Sequence, residues 1–91
     1  MSLDELNYKA ANDRGVFTDD YKPMDCFVKL LEEVGEVREA ISDDNLENYK
    51  EELMDVIITA QNELIRIGAT IAVEKHKCWI KNKGRVRNAK I

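Results

Sequence analysis

Between residues 24 and 42 the apolar positions Phe27, Leu30, Leu31, Val34, Val37 and Ile41 recur every three or four residues. At about 100° per residue such positions share one side of a helix, so the spacing predicts a helix with a single stripe. A second stripe, Leu46, Tyr49, Leu53, Val56, Ile57, Ala60, Leu64 and Ile67, predicts a helix over 46–67 that Gly68 closes. The polar stretch "SDDN", 42–45, is short and rich in capping residues, which makes the pair an antiparallel hairpin. Pro23 stands where the first of these helices begins. Shorter helices are expected on either side. One covers 4–14, with Leu6 and Ala10 on one face and Gly15 at its end; the other covers about 70–82, carries Ile71, Ala72, Cys78, Trp79 and Ile80, and stops at Gly84. Nothing reads as a strand. The expected fold is all-α and one domain over 1–91, an antiparallel helical hairpin plus two shorter helices ending in a basic tail at about 83–91. Four-helix-bundle packing is expected to be completed by oligomerisation, because so short a chain closes only a modest core alone.

The polar positions bordering the stripes are less ordinary. Glu33 falls about 90° to one side of its stripe and Glu36 about 60° further round; on the second helix Glu52 and Asp55 repeat both offsets on the same side. Glu33 with Glu36, and Glu52 with Asp55, are therefore i,i+3 pairs flanking the seam, whereas Glu32, Glu39 and Glu51 point towards water. If the helices pack through their seams, in one chain or against a second subunit, the four carboxylates converge. Two anions ~5 Å apart repel by roughly 3 kcal/mol at an effective dielectric of ~20, and four anions make six such pairs. The pattern shows none of the i,i+4 lysines that usually relieve such crowding. Mg²⁺ or Mn²⁺, which take hard oxygen ligands, convert that repulsion into binding. One acidic pair is an ordinary solvated surface; two pairs in the same frame favour a metal. Arg38 stands out differently, near the centre of an apolar stripe.

Charge is unevenly spread. Residues 1–73 hold 7 basic and 17 acidic side chains, a balance of −10, while 74–91 hold 7 and 1, a balance of +6. An acidic body does not suit a general nucleic-acid binder, whose basic face would dominate; it suits an anionic ligand held through cations. Cys26 and Cys78 lie far apart and in no metal-ligand spacing, and are expected as buried thiols. With no signal-like or membrane-spanning run, the expectation is a cytoplasmic protein with no membrane or nucleic-acid partner.

"KLLEEVGEVREAI", 29–41, followed by "EELMDVIITA", 51–60, resembles the MazG-like all-α nucleoside triphosphate pyrophosphohydrolases, whose signature is E-x-x-E, a spacer, then E-x-x-D. Glu33, Glu36, Glu52 and Asp55 fall on the four motif positions. "NDRGVF" upstream and "WIKNKGRVRNAKI" downstream look like the flanks of short, phage-type members, although "RVRNAKI" departs from the glycine-containing ending of that pattern. The resemblance implies Mg²⁺- or Mn²⁺-dependent hydrolysis of a (deoxy)nucleoside triphosphate to monophosphate and pyrophosphate, in nucleotide-pool house-cleaning, by a homo-oligomer (dimer or tetramer). It implies that the four acids are the catalytic metal ligands, with the alternative that one of the glutamates orients or deprotonates the attacking water. Lys77, Lys81, Lys83 and Arg85 are then candidates for the outer phosphates, and Asn62, two turns beyond Asp55 on nearly the same face, for the sugar or base. Trp79 reads as a core or interface anchor and His76 as a surface residue. The rival readings are a phosphoribosyl-ATP pyrophosphohydrolase, disfavoured because "DVIITAQNEL" lacks an aromatic–His pair, and a non-catalytic helical assembly or binding module.

Overall fold

The computed structural model describes the backbone of residues 1–89 and the side chains of residues 1–85. It is all-α: α1 Leu3–Asp13, α2 Pro23–Ser42, α3 Leu46–Arg66 and α4 Ile71–Ala89, with no strand among the described residues. Local chemistry explains the boundaries. Pro23 opens α2, and the Lys22 backbone N–H donates to the Asp25 carboxylate at 2.8 Å. The Asn45 side chain caps α3 by accepting from the Asn48 N–H at 3.1 Å. Between them the chain reverses through Asp44, whose φ of 50° is a left-handed conformation that Asp tolerates. Gly68, at φ 86°, ends α3.

One boundary differs from expectation. α4 does not stop at Gly84 but runs through it to Ala89. A glycine inside a helix costs about 1 kcal/mol relative to alanine, which the good helix formers around it offset; only a left-handed glycine terminates, and Gly84 is not one. Of the expected tail, Lys90 and Ile91 lie outside the described residues.

The larger correction concerns which stripe is inside. α2 and α3 form the most extensive helix contact, yet the residues between them are Cys26, Leu30, Glu33, Val37 and Ala40 on α2, facing Tyr49, Glu52, Val56, Thr59, Glu63 and Arg66 on α3. All are buried or half-buried. The more apolar row, one residue out of step, lies open: Phe27, Leu31, Val34 and Ile41 are 54–62 % exposed, and Leu46, Leu53, Ile57 and Ile67 are exposed beside them. Arg38, in the middle of that row, is also exposed. Among the described residues the fully buried apolar ones are only Ala11, Cys26 and Ala40. Small side chains at Cys26 and Ala40 let the backbones approach, so the seam selects the narrow, partly polar row and leaves the wide apolar one outside.

α1 packs on the second half of α3 through Ala11, with Asp4, Asn7 and Tyr8 half-buried, instead of through Leu6 and Ala10. The following loop is clasped by aromatic contacts. Phe17 stacks on Tyr8 and meets Tyr21 edge-on, both at 5.0 Å, and the Arg66 guanidinium lies 4.9 Å over the Tyr21 ring while it binds Glu63 in a fork of 2.5 and 2.9 Å. Cys26 is buried here as expected; Cys78 is exposed, because its stretch of α4 has little packed over it. After Gly68 the chain turns by 111°, and among the described residues α4 touches α3 alone. Among the described residues no single helix is long and apolar enough to cross a membrane.

Candidate metal centre

The seam carries its chemistry near the middle of the hairpin. Glu33 and Glu52 belong to the two facing rows, so the contact that closes the hairpin draws their side chains inward; Glu33 is 7 % exposed and Glu52 half-buried. Glu36 lies about 80° from the seam on α2 and Asp55 about 60° from it on α3. Because the helices are antiparallel, those two offsets fall on the same side of the hairpin. One carboxylate oxygen from each of Glu33, Glu36, Glu52 and Asp55 comes within 4.8 Å of all the others. The convergence is thus built by one chain and needs no second subunit. The same helical geometry sends the exposed apolar rows to the opposite side, so the hairpin has an acidic face and an apolar face.

Electrostatically the cluster is under-compensated. Glu33 Oε1 is met by the Lys29 ammonium at 3.1 Å, but Glu33 Oε2 and Glu52 Oε2 are buried without a hydrogen-bond partner. Lys29 corrects the sequence reading, which found no i,i+4 lysine at these acids; the spacing 29 to 33 is one. It reaches only one of the four carboxylates and shares itself with Glu32 at 3.6 Å. The crowding shows in Glu52, whose pKa is pushed from 4.5 up to about 7. The hydrogen bond it makes with Glu36 is the largest cause, followed by burial and by the charges of Glu36, Asp55 and Glu33. A carboxylate that keeps its proton up to neutral pH beside three others belongs to a group that could hold a divalent cation. Four hard oxygen donors with two orphaned buried atoms fit Mg²⁺ or Mn²⁺ and offer nothing to a soft metal.

The other predicted positions are placed differently. Asn62 lies on the acidic side, about 10.5 Å along α3 from Asp55. It is 8 % exposed, and its Oδ1 is a third buried atom without a partner. Lys77, Lys81, Lys83 and Arg85 are exposed on α4, and Lys77 pairs with Glu74 of its own helix at 3.2 Å. α4 meets α3 across a crevice whose α3 side is Gln61 and Leu64, well past Asp55, so these cations are not gathered with the acids in the helix contacts of one copy. Trp79 lines that crevice and remains 57 % exposed; His76 is on the surface.

Comparison with known families agrees with the hairpin. The family model described as the MazG nucleotide pyrophosphohydrolase domain matches residues 23–75, which is 53 of the 91 residues. The match holds all of α2 and α3 and the start of α4, and therefore all four clustered acids; the basic positions from Lys77 onward fall outside it. No curated protein matches, and no solved structure matches.

Proposed function

The chain belongs to the MazG nucleotide pyrophosphohydrolase family, and from that premise we propose that it hydrolyses a (deoxy)nucleoside triphosphate to the monophosphate and pyrophosphate with Mg²⁺ or Mn²⁺. The observation that carries the reading is the convergence of Glu33, Glu36, Glu52 and Asp55 with two buried oxygens unpartnered. These four would hold the metal. When bound, it supplies charge for the phosphates and a more acidic water as nucleophile. The chain's own contribution is placement. α2 and α3 set Glu33 and Glu52 in their seam with Glu36 and Asp55 at its edge, Lys29 holds Glu33, and Glu52 carries a proton near neutral pH that it would give up to a cation. A nucleotide with its phosphates at the acids would extend along α3 towards Asn62, which we assign to the sugar or base. Lys77, Lys81, Lys83 and Arg85 are assigned to the outer phosphates, reached in the assembled protein. The protein works as a homo-oligomer in the cytoplasm, its thiols reduced, and clears unwanted nucleotides.

The test is a pyrophosphate-release assay on purified protein with a panel of nucleoside and deoxynucleoside triphosphates. It is run with Mg²⁺, Mn²⁺ or chelator, beside Glu36→Gln. Metal-dependent release of pyrophosphate and monophosphate, lost in the variant, is the expected result. Turnover only of a phosphoribosyl nucleotide would move the reading to that substrate. Inertness on every substrate, with intact folding, would reduce the acids to a solvated face.

A further inference from the structure

We infer that Lys29 is the residue of this chain that holds the α-phosphate of a bound nucleotide, the phosphoryl group that ends in the monophosphate product. Its present partner, Glu33, keeps the ammonium at the edge of the carboxylate cluster, from which it passes to the phosphate. The inference rests on the nucleotide reading proposed above and adds a residue to it.

Contact and position lead there. Among the described residues Lys29 is the only basic side chain in ion-pair contact with any of the four clustered acids, at 3.1 Å from Glu33 Oε1. The pairing is incomplete on both sides. The Lys29 side chain is 51 % exposed and shares itself with Glu32 at 3.6 Å, so its ammonium has donors open to solvent, while Glu33 Oε2 is buried without a partner. At about 100° per residue Lys29 lies about 40° round α2 from Glu33, on the same side as Glu36 at about 60°. It stands about 6 Å from Glu33 towards the start of α2, whereas Glu36 is about 4.5 Å the other way. The start of α2 lies beside the end of α3, where Arg66 covers Tyr21, and that is the direction of Asn62 from Asp55. Along the acidic side the order is therefore acids, Lys29, Asn62. A nucleotide with its phosphates at the acids and its sugar or base at Asn62 passes Lys29 with the phosphate nearest the sugar.

The basic positions of α4 are not on this side. Leu64, which lines the crevice under α4, comes nine residues after Asp55 and so lies about 180° round α3 from it; Gln61 lies about 120° round. α4 thus closes on the part of α3 turned away from the acids. Four carboxylates repel the charge of a nucleotide, and Lys29 is the cation that this chain itself places where the phosphates meet them. Its ammonium offers the charge-assisted hydrogen bond that a phosphate oxygen accepts. Exchanging a carboxylate for a phosphate costs the fold little, because Lys29 is half-exposed, and it leaves both oxygens of Glu33 to the metal centre.

The experiment reads binding, independently of turnover. Wild type and Lys29→Met are titrated calorimetrically with Mn²⁺ alone. With Mn²⁺ saturating, they are then titrated with a panel of deoxynucleoside monophosphates and with inorganic pyrophosphate. Lys29→Met is expected to lose about tenfold or more in monophosphate affinity, the scale of one hydrogen bond to a charged group. Its affinities for pyrophosphate and for Mn²⁺ are expected to stay within about threefold of the wild type, under 1 kcal/mol. Equal monophosphate affinity in the two proteins overturns the assignment. So does a parallel loss of pyrophosphate or Mn²⁺ binding, which would make Lys29 a prop for Glu33. A wild type that binds no monophosphate overturns the nucleotide reading and the assignment together.

Discussion

The acidic and apolar faces belong to the same two helices, and in a single copy each is left with an unmet requirement of opposite kind. On one side charged groups are drawn together, with Glu33 and Glu52 oxygens buried and unpartnered. On the other, side chains that gain from leaving water remain in it. Burial of a charge is specific, because it demands a ligand of matching charge and coordination. Burial of an aliphatic row demands only shape and area. The two faces of the hairpin therefore ask for different things, a ligand of matching charge on one and apolar contact on the other, and they should respond to different perturbations.

The largest effect is expected on the acidic side. Glu36→Gln removes one of the four proposed metal ligands and should lower turnover by about 10²–10³ or more, the scale seen when one preorganised electrostatic partner is lost. Its oligomeric mass should not change, and a change in mass would break the separation of the faces. On the apolar side Val34→Glu should cost roughly 3–5 kcal/mol of assembly, because it buries a charge without a partner; a concentration-dependent thermal unfolding series would read this. Loss of metal binding by Val34→Glu at concentrations where it is folded would show that the faces are coupled after all.

Acidity sharpens the comparison. Glu52 has a folded pKa of about 7, above its ordinary 4.5, so its protonated form is the one the metal-free fold favours. Its contribution to stability is complete below about pH 4.5 and is lost as pH rises through 7. Metal-free protein should thus lose melting temperature between pH 5 and 8, and stabilisation by added Mg²⁺ or Mn²⁺ should grow over the same window. Glu52→Gln should flatten the first trend and remove the second; an unchanged pH profile in that variant would assign the effect elsewhere. The smallest effect is Lys29→Met. Lys29 is half-exposed while its partner Glu33 is buried, so the pair should be worth no more than about 1 kcal/mol in metal-free protein, measured by denaturant titration.

Much of this was legible in the residues. The helix periods, the Pro23 start, the capping turn at 42–45 and the Gly68 stop follow from short-range chemistry, and the structure has all of them, with Asn45 as the residue that caps α3. The four acids were legible because a shared frame on adjacent antiparallel helices leaves few ways to keep them apart. The inside of the hairpin was not legible, for a physical reason. Two rows run along α2 one residue apart, and hydropathy prefers Phe27, Leu31, Val34 and Ile41 over a row that contains Glu33. A rule that puts apolar residues inside assumes one burial event, and it fails if the apolar row is reserved for a second copy. α4 outran Gly84 because helix-stop rules read glycine as a left-handed cap, which requires a backbone turn that this site does not make. The Lys29–Glu33 pair, in plain i,i+4 spacing, was legible as well.

The most direct test of the central claim, that the acidic face is a metal centre, is calorimetric titration of Mn²⁺ into metal-free protein near pH 7. It is done in two buffers of different ionisation heat, with Glu36→Gln and Asp55→Asn alongside. The account predicts binding accompanied by proton release, since Glu52 must give up its proton, and loss of that binding in both variants. No binding by the wild type, together with variants more stable than it because repulsion alone has been relieved, would contradict it.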